Sequence, residues 1–155
     1  MHFSFDWSRD LQDVIKILIA YLLVLPVGWY REREAHSVGV RTFPVVAMAS
    51  CGYVLLGASN LPMVIGTEAQ SRIIQGLVAG IGFIGGGAIL KSESRVHGVA
   101  TAASIWNTGV VGASVALDRY LLAAMLAALN LFALRVLLQV KSKLNEHTPE
   151  KPDID

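Results

Sequence analysis

Charge is what this sequence is short of. Of its 155 residues, 16% are Asp, Glu, Lys or Arg, against roughly 25% in an average soluble domain. The shortage is uneven. Across Val14–Tyr30, Phe43–Leu61, Ile73–Leu90, Val99–Leu117 and Tyr120–Val140, the only charges are Lys16 and Arg135. There is no basic run of the kind nucleic-acid readers present, and the net charge of +1 carries no message of that sort. The single cysteine, Cys51, excludes an intramolecular disulfide and reads as a small buried residue. A nucleophile elbow, a zinc-binding HExxH and a phosphate-binding P-loop are all missing. No Ser/His or paired-Asp constellation falls inside the apolar stretches either. The reading is a non-enzymatic chain without cofactor or metal site.

What is there is apolar: 54% of the residues are hydrophobic. Each of the five stretches comes close to the ~20 residues that cross ~30 Å of hydrocarbon. The expected fold is an all-α membrane protein with five transmembrane helices. Residues 1–140 form the membrane domain, with spans at about 14–30, 43–61, 73–90, 99–117 and 120–140. Residues 141–155 form a polar, disordered cytoplasmic tail. The N-terminus lacks a basic n-region, and the first stretch ends in Trp-Tyr-Arg-Glu, so it reads as a retained span.

Lysine and arginine set the orientation. Alternate segments carry eight of them on one side (Arg31, Arg33, Arg41, Lys91, Arg95, Lys141, Lys143 and Lys151) and three on the other (Arg9, Arg72 and Arg119). The richer side belongs in the cytoplasm. The N-terminus is then outside and the C-terminus cytoplasmic, as five spans require.

The spans differ in kind. In the third, Gly76/Gly80 and Gly82/Gly86 are spaced as GxxxG, which lets another backbone approach closely. With Gly85 and Gly98, these are the expected helix-packing glycines, and the third helix should be surrounded by protein rather than lipid. Gly80, Gly82 and Gly85 also fit the dinucleotide fingerprint GxGxxG, but no strand precedes them and no acid follows about 20 residues on. The fourth span is small and polar. Trp106 and Asn107 fall near its middle, where an unpaired amide costs several kcal/mol. Asn107 serves either an interhelical hydrogen bond or a polar cavity. The fifth is a lipid-facing wall, with Asn130 at its midpoint and Arg135 placed to snorkel to the cytoplasmic surface. In the first, Asp13 and Lys16 share a helix face as a self-neutralising pair or as the lining of a crevice.

Three motifs carry a resemblance. Gly28-Trp-Tyr-Arg31-Glu32 followed by Gly39-Val-Arg41-Thr42 is one. Arg72-Ile followed by Gly80-Ile-Gly-Phe-Ile-Gly85-x-Gly87 is the second. Gly98-x-x-Thr101-Ala-Ala-Ser-Ile-Trp106 is the third. In this order they resemble the signatures of the MgtC/SapB membrane-protein family over roughly Leu11–Leu138. Val40 and Ala100 depart from the usual pattern. Some relatives carry a C-terminal ACT-like domain, so this chain resembles the short, membrane-only branch. The resemblance implies a bacterial inner-membrane protein concerned with magnesium limitation or acid stress, acting through membrane partners such as the ATP synthase.

Magnesium transport itself is disfavoured by the sequence. Mg²⁺ is held through carboxylates and retained waters, yet Asp13 is the deepest acid. Five spans also do not divide into two inverted halves. On the cytoplasmic side Arg31, Glu32, Arg33, Glu34, Arg41, Thr42, Lys91, Arg95, His97 and Thr101 form a candidate docking platform, with His97 as a pH-responsive element. The expected partners are the lipid bilayer, a second copy in a homodimer and another membrane protein, with no nucleic acid. The candidate site residues are Arg31, Glu32, Arg41, Thr42, Thr101, Trp106 and Asn107. A small Mg²⁺ or H⁺ channel, or a lipid-binding scaffold using Arg31 and Arg41, are the alternatives.

Overall fold

The computed structural model describes residues 7–35, 39–59, 67–91 and 96–146, the side chains of 34, 35, 58, 59, 67, 69 and 137–146 excepted. Five helices account for nearly all of them: α1 (Trp7–Ala35), α2 (Thr42–Ser59), α3 (Thr67–Gly87), α4 (Val99–Ala116) and α5 (Tyr120–Glu146). Between α3 and α4 a two-residue antiparallel pair, β1 (Leu90–Lys91) with β2 (Val96–His97), joins Leu90 to His97 and Lys91 to Val96.

Each expected apolar stretch is helical over most of its described residues, but the bounds differ, and residues 60–61 of the second lie outside the described residues. α1 begins seven residues before Val14 and absorbs Pro26 without a break. At Pro26 one backbone N–H is missing, so the carbonyl of Leu22 loses its helical partner. Pro44 lies in the first turn of α2, where an N–H would be unpaired in any case. α3 stops at Gly87, short of the expected Leu90. α5 continues to Glu146, into the segment read as a disordered tail; the rest of that tail lies outside the described residues. Among the described residues, two helices are long and apolar enough on their own to cross a membrane, Trp7–Arg33 and Val99–Ala116. The apolar runs Thr42–Gly57 and Tyr120–Val136 are shorter.

α4 is the central helix and packs against α1, α2, α3 and α5. Small residues make that possible. A methyl group added to Gly112 would run into the carbonyl oxygen of Ala47 and sit 3.0 Å from Ser50 Cβ, so α2 and α4 approach almost backbone to backbone. Around this crossing lie buried Phe43, Val46, Cys51, Ile105, Val111 and Val115, with Val24 and Val27 from α1 closing the core. The outside is apolar too: Leu18 and Leu22 on α1 and Leu121, Leu129 and Phe132 on α5 are exposed. Large apolar side chains facing outwards on several helices would be an aggregation liability in water; against lipid tails they are at no disadvantage.

Candidate functional site

Part of each sequence motif lies at one end of the bundle; the Arg72 start of the second lies near the other end of α3, where Arg72 pairs with Glu68 at 2.8 Å. The last turns of α1 turn Gly28 towards the connection into α2. A Cβ at Gly28 would lie 3.0 Å from the carbonyl oxygen of Gly39, and one at Gly39 would lie 2.7 Å from that of Gly28. Only two glycines let these backbones touch. The adjoining Glu32 carboxylate accepts the Val40 N–H at 2.7 Å, and the Phe43 N–H reaches the Gly39 carbonyl at 3.2 Å to open α2. A third tie goes deeper. Arg31, only 6% exposed, donates from Nη2 to the Thr101 hydroxyl in the first turn of α4. A guanidinium this far from solvent has to be hydrogen-bonded to be tolerable.

α3 joins the same end. A methyl on Gly85 would meet the Ala102 carbonyl oxygen at 3.2 Å. Gly98, which enters α4, has φ of 86°, a left-handed conformation natural to glycine, and its missing side chain would strike the Ala88 carbonyl. These parts of the motifs form one structural joint, in which Arg31, Glu32, Thr101, Gly28, Gly39, Gly85 and Gly98 fasten four helices.

This corrects the docking-platform expectation in part. Arg31 and Thr101 are buried in the joint and present nothing outwards. Glu32 is exposed but its carboxylate serves Val40. Arg41 is exposed and Thr42, half-buried, starts α2. Lys91 and His97 lie exposed on the strand pair, while Arg95 is outside the described residues.

Asn107 takes the interhelical reading: its Nδ2 donates to the Leu126 carbonyl on α5 at 3.2 Å. Trp106 is 48% exposed and lines a cavity of about 190 Å³ between α3 and α4 with Ile74, Val78 and Gly109. Of the packing glycines, only Gly85 and Gly98 are covered. Gly76, Gly80, Gly82 and Gly86 have open space where a side chain would be, so within one chain α3 is not enclosed by protein as expected. Gly76 and Gly80 instead floor an open groove of about 450 Å³ between α2 and α3, walled by Tyr53, Ile73 and Ile84.

Two polar pairs escaped the sequence reading. Ser104 on α4 donates to Asn130 Oδ1 on α5 at 2.9 Å; the polar midpoint of α5 was the available signal. At the far end Lys16 pairs with Asp118, not with Asp13, at 2.8 Å, and also reaches the Ala116 carbonyl at 3.3 Å. Asp118 adopts a positive φ of 59°, which directs the turn after α4 back over α1. The carboxyl is held below its usual range by the Lys16 ammonium first and by the Tyr120 hydroxyl second. Arg31 and Lys16 are fifteen positions apart on α1, as are Thr101 and Ala116 on α4. At ~1.5 Å per residue, that equal spacing clamps the two helices at both ends. Among the described residues no cluster of His, Cys, Asp and Glu is arranged to hold a metal ion.

The profile of the MgtC family matches residues 17–143. The chain is similar to the protein SrpB of Synechococcus elongatus, 36% identical over 71% of this chain and 64% of SrpB. It is 27% identical to YhiD of Escherichia coli, named as a candidate magnesium transporter, over 84% of this chain and 63% of YhiD. It is also 27% identical to the protein MgtC of Salmonella typhimurium, over 86% of this chain and 55% of that protein. The chain thus spans less than two thirds of the length of each. No solved structure matches it.

Proposed function

The chain belongs to the MgtC family of membrane proteins, and on that premise we propose that it is a non-enzymatic, five-span bacterial inner-membrane regulator in adaptation to low magnesium or acid stress. The Arg31 end faces the cytoplasm and the Lys16 end faces outwards, in keeping with the eight-to-three distribution of lysine and arginine. It acts by helix-to-helix contact within the bilayer, on a second copy of itself and on a membrane partner, for which the ATP synthase is one candidate.

The observation that carries this reading is the contrast between two exposed helices. α5 turns Leu121, Leu129 and Phe132 outwards, the side chains lipid tails accept. α3 turns Gly76, Ala79, Gly80, Gly82, Gly86 and Gly87 outwards. Helical glycine costs about 1 kcal/mol relative to alanine, and no packing inside the chain offsets it at these glycines. Close approach by another helix would. Phe83, 86% exposed, follows Gly76 and Gly80 at helical spacing on α3. A knob next to a hole is what a self-complementary two-fold pair requires.

Ion conduction is the rival reading, favoured by YhiD's name. Against it, Ser104, Asn107, Thr108 and Asn130 are engaged in hydrogen bonds within α4 and to α5 rather than lining a passage. Purified protein in vesicles decides between them. The regulator reading expects Mg²⁺ entry no faster than in empty vesicles, together with poor growth of a deletion strain in low magnesium. Flux above that level, abolished by Asn107→Leu, would establish the rival.

A further inference from the structure

We infer that the α1–α2 corner carries a binding site for the phosphate of an anionic phospholipid headgroup, formed by Arg33, which lies over the ring of Trp29, and by Arg41 immediately before α2. The sequence offered Arg31 and Arg41 for such a role, and the structure takes Arg31 away by burying it against Thr101. It supplies Arg33 instead. The Arg33 guanidinium lies 5.1 Å from the centroid of the Trp29 ring, one turn back along α1. Trp29 is 53% exposed, an indole with one face under a cation and about half of its surface open to its surroundings. Stacking of this kind fixes the guanidinium plane and leaves its outer N–H groups directed away from the ring.

Arg41 is brought to the same corner by the joint. The Glu32–Val40 hydrogen bond at 2.7 Å ties together the residues that immediately precede Arg33 and Arg41, and the Gly28–Gly39 approach holds that crossing rigid. Both arginines are exposed, and among the described residues neither is in an ion pair. Glu32, which precedes Arg33 on α1, has its carboxylate engaged by the Val40 amide. Two guanidinium groups beside an amphipathic aromatic suit a ligand with an anionic head and an apolar body. Arginine binds phosphate oxygens bidentately, and tryptophan favours the headgroup level of a bilayer. A phospholipid supplies both parts, whereas free phosphate supplies only the first.

The inference rests on the membrane-spanning reading, and the experiment separates the two. The protein is reconstituted into bilayers of equal phosphatidylglycerol and phosphatidylcholine, extracted gently, and its retained lipid is counted by native mass spectrometry. Wild type should retain phosphatidylglycerol preferentially. Arg33→Gln with Arg41→Gln should lower the anionic-to-neutral ratio roughly 30-fold, from about 1 kcal/mol per basic residue. Arg119→Gln, an exposed cation at the opposite end of the bundle, should leave that ratio unchanged. If the double variant does not fold, Arg33→Lys, which keeps the charge but not the bidentate fork, should give an intermediate loss. A preference that survives the double variant, or that Arg119→Gln destroys equally, overturns the site. Displacement of the lipid by added inorganic phosphate also overturns it, since the site would then take a free anion. Failure to enter bilayers of any composition would bring down the membrane reading itself.

Discussion

Replacing Thr101 with valine removes one hydroxyl at almost constant volume from beneath Arg31. The guanidinium stays 6% exposed and loses its acceptor on α4. A hydrogen bond to a charged group contributes about 1.5–3 kcal/mol. Thr101→Val is therefore expected to destabilise by about 2 kcal/mol. Arg31→Met should also destabilise, through the loss of everything the guanidinium holds. Because each change removes the same bond, the double variant should be less damaging than the two added together, with a coupling of about 1–3 kcal/mol. Unfolding in mixed micelles of increasing denaturing detergent, followed by tryptophan fluorescence, gives the four free energies. If Thr101→Val falls within about 0.5 kcal/mol of wild type, or if the two changes add, the clamp between α1 and α4 is not energetically real.

Two other outcomes follow from the same packing. Gly112→Ala should cost about 1–3 kcal/mol, the range for an overfilled core, because its methyl group meets the Ala47 backbone carbonyl rather than a side chain that can swing aside; Gly86→Ala, with open space around it within the chain, should not destabilise the fold of a single protomer in the same unfolding measurement. Asp118 gives a pH signature. Its folded pKa lies below the ordinary carboxylate value of about 4 because of Lys16. The stability it contributes is thus complete above that ordinary value and lost as pH falls through the lowered one. Asp118→Asn should flatten that acid limb and leave stability near neutral pH only slightly reduced, since the group is largely exposed and solvent screens it.

Helix content was legible in the sequence because the signal was long and simple: five runs almost free of charge became five helices, with Asn107 bonded across to α5. The motifs were legible as a pattern but not as an object. Arg31 and Thr101 are seventy residues apart, and spacing cannot show that one donates to the other in the interior. Positive-inside bias explained Arg31 so well that burial was hidden behind it. Lys16 misled for a related reason: Asp13 was the local partner at helical spacing, whereas Asp118 reaches it only through a turn with positive φ a hundred residues on. The glycines of α3 were singled out for packing, yet most have no neighbour within the chain. On the proposed reading that neighbour is a second copy of the chain.

The decisive measurement is the oligomeric state in bilayers, by single-molecule photobleaching of labelled protein at low density, for wild type, Gly80→Leu, Phe83→Ala and Leu121→Ala. If the outward face of α3 is the working surface, wild type and Leu121→Ala bleach in two steps, and both α3 variants bleach in one. Two-step bleaching that survives Gly80→Leu and Phe83→Ala would contradict the account, and so would a wild type that bleaches in a single step.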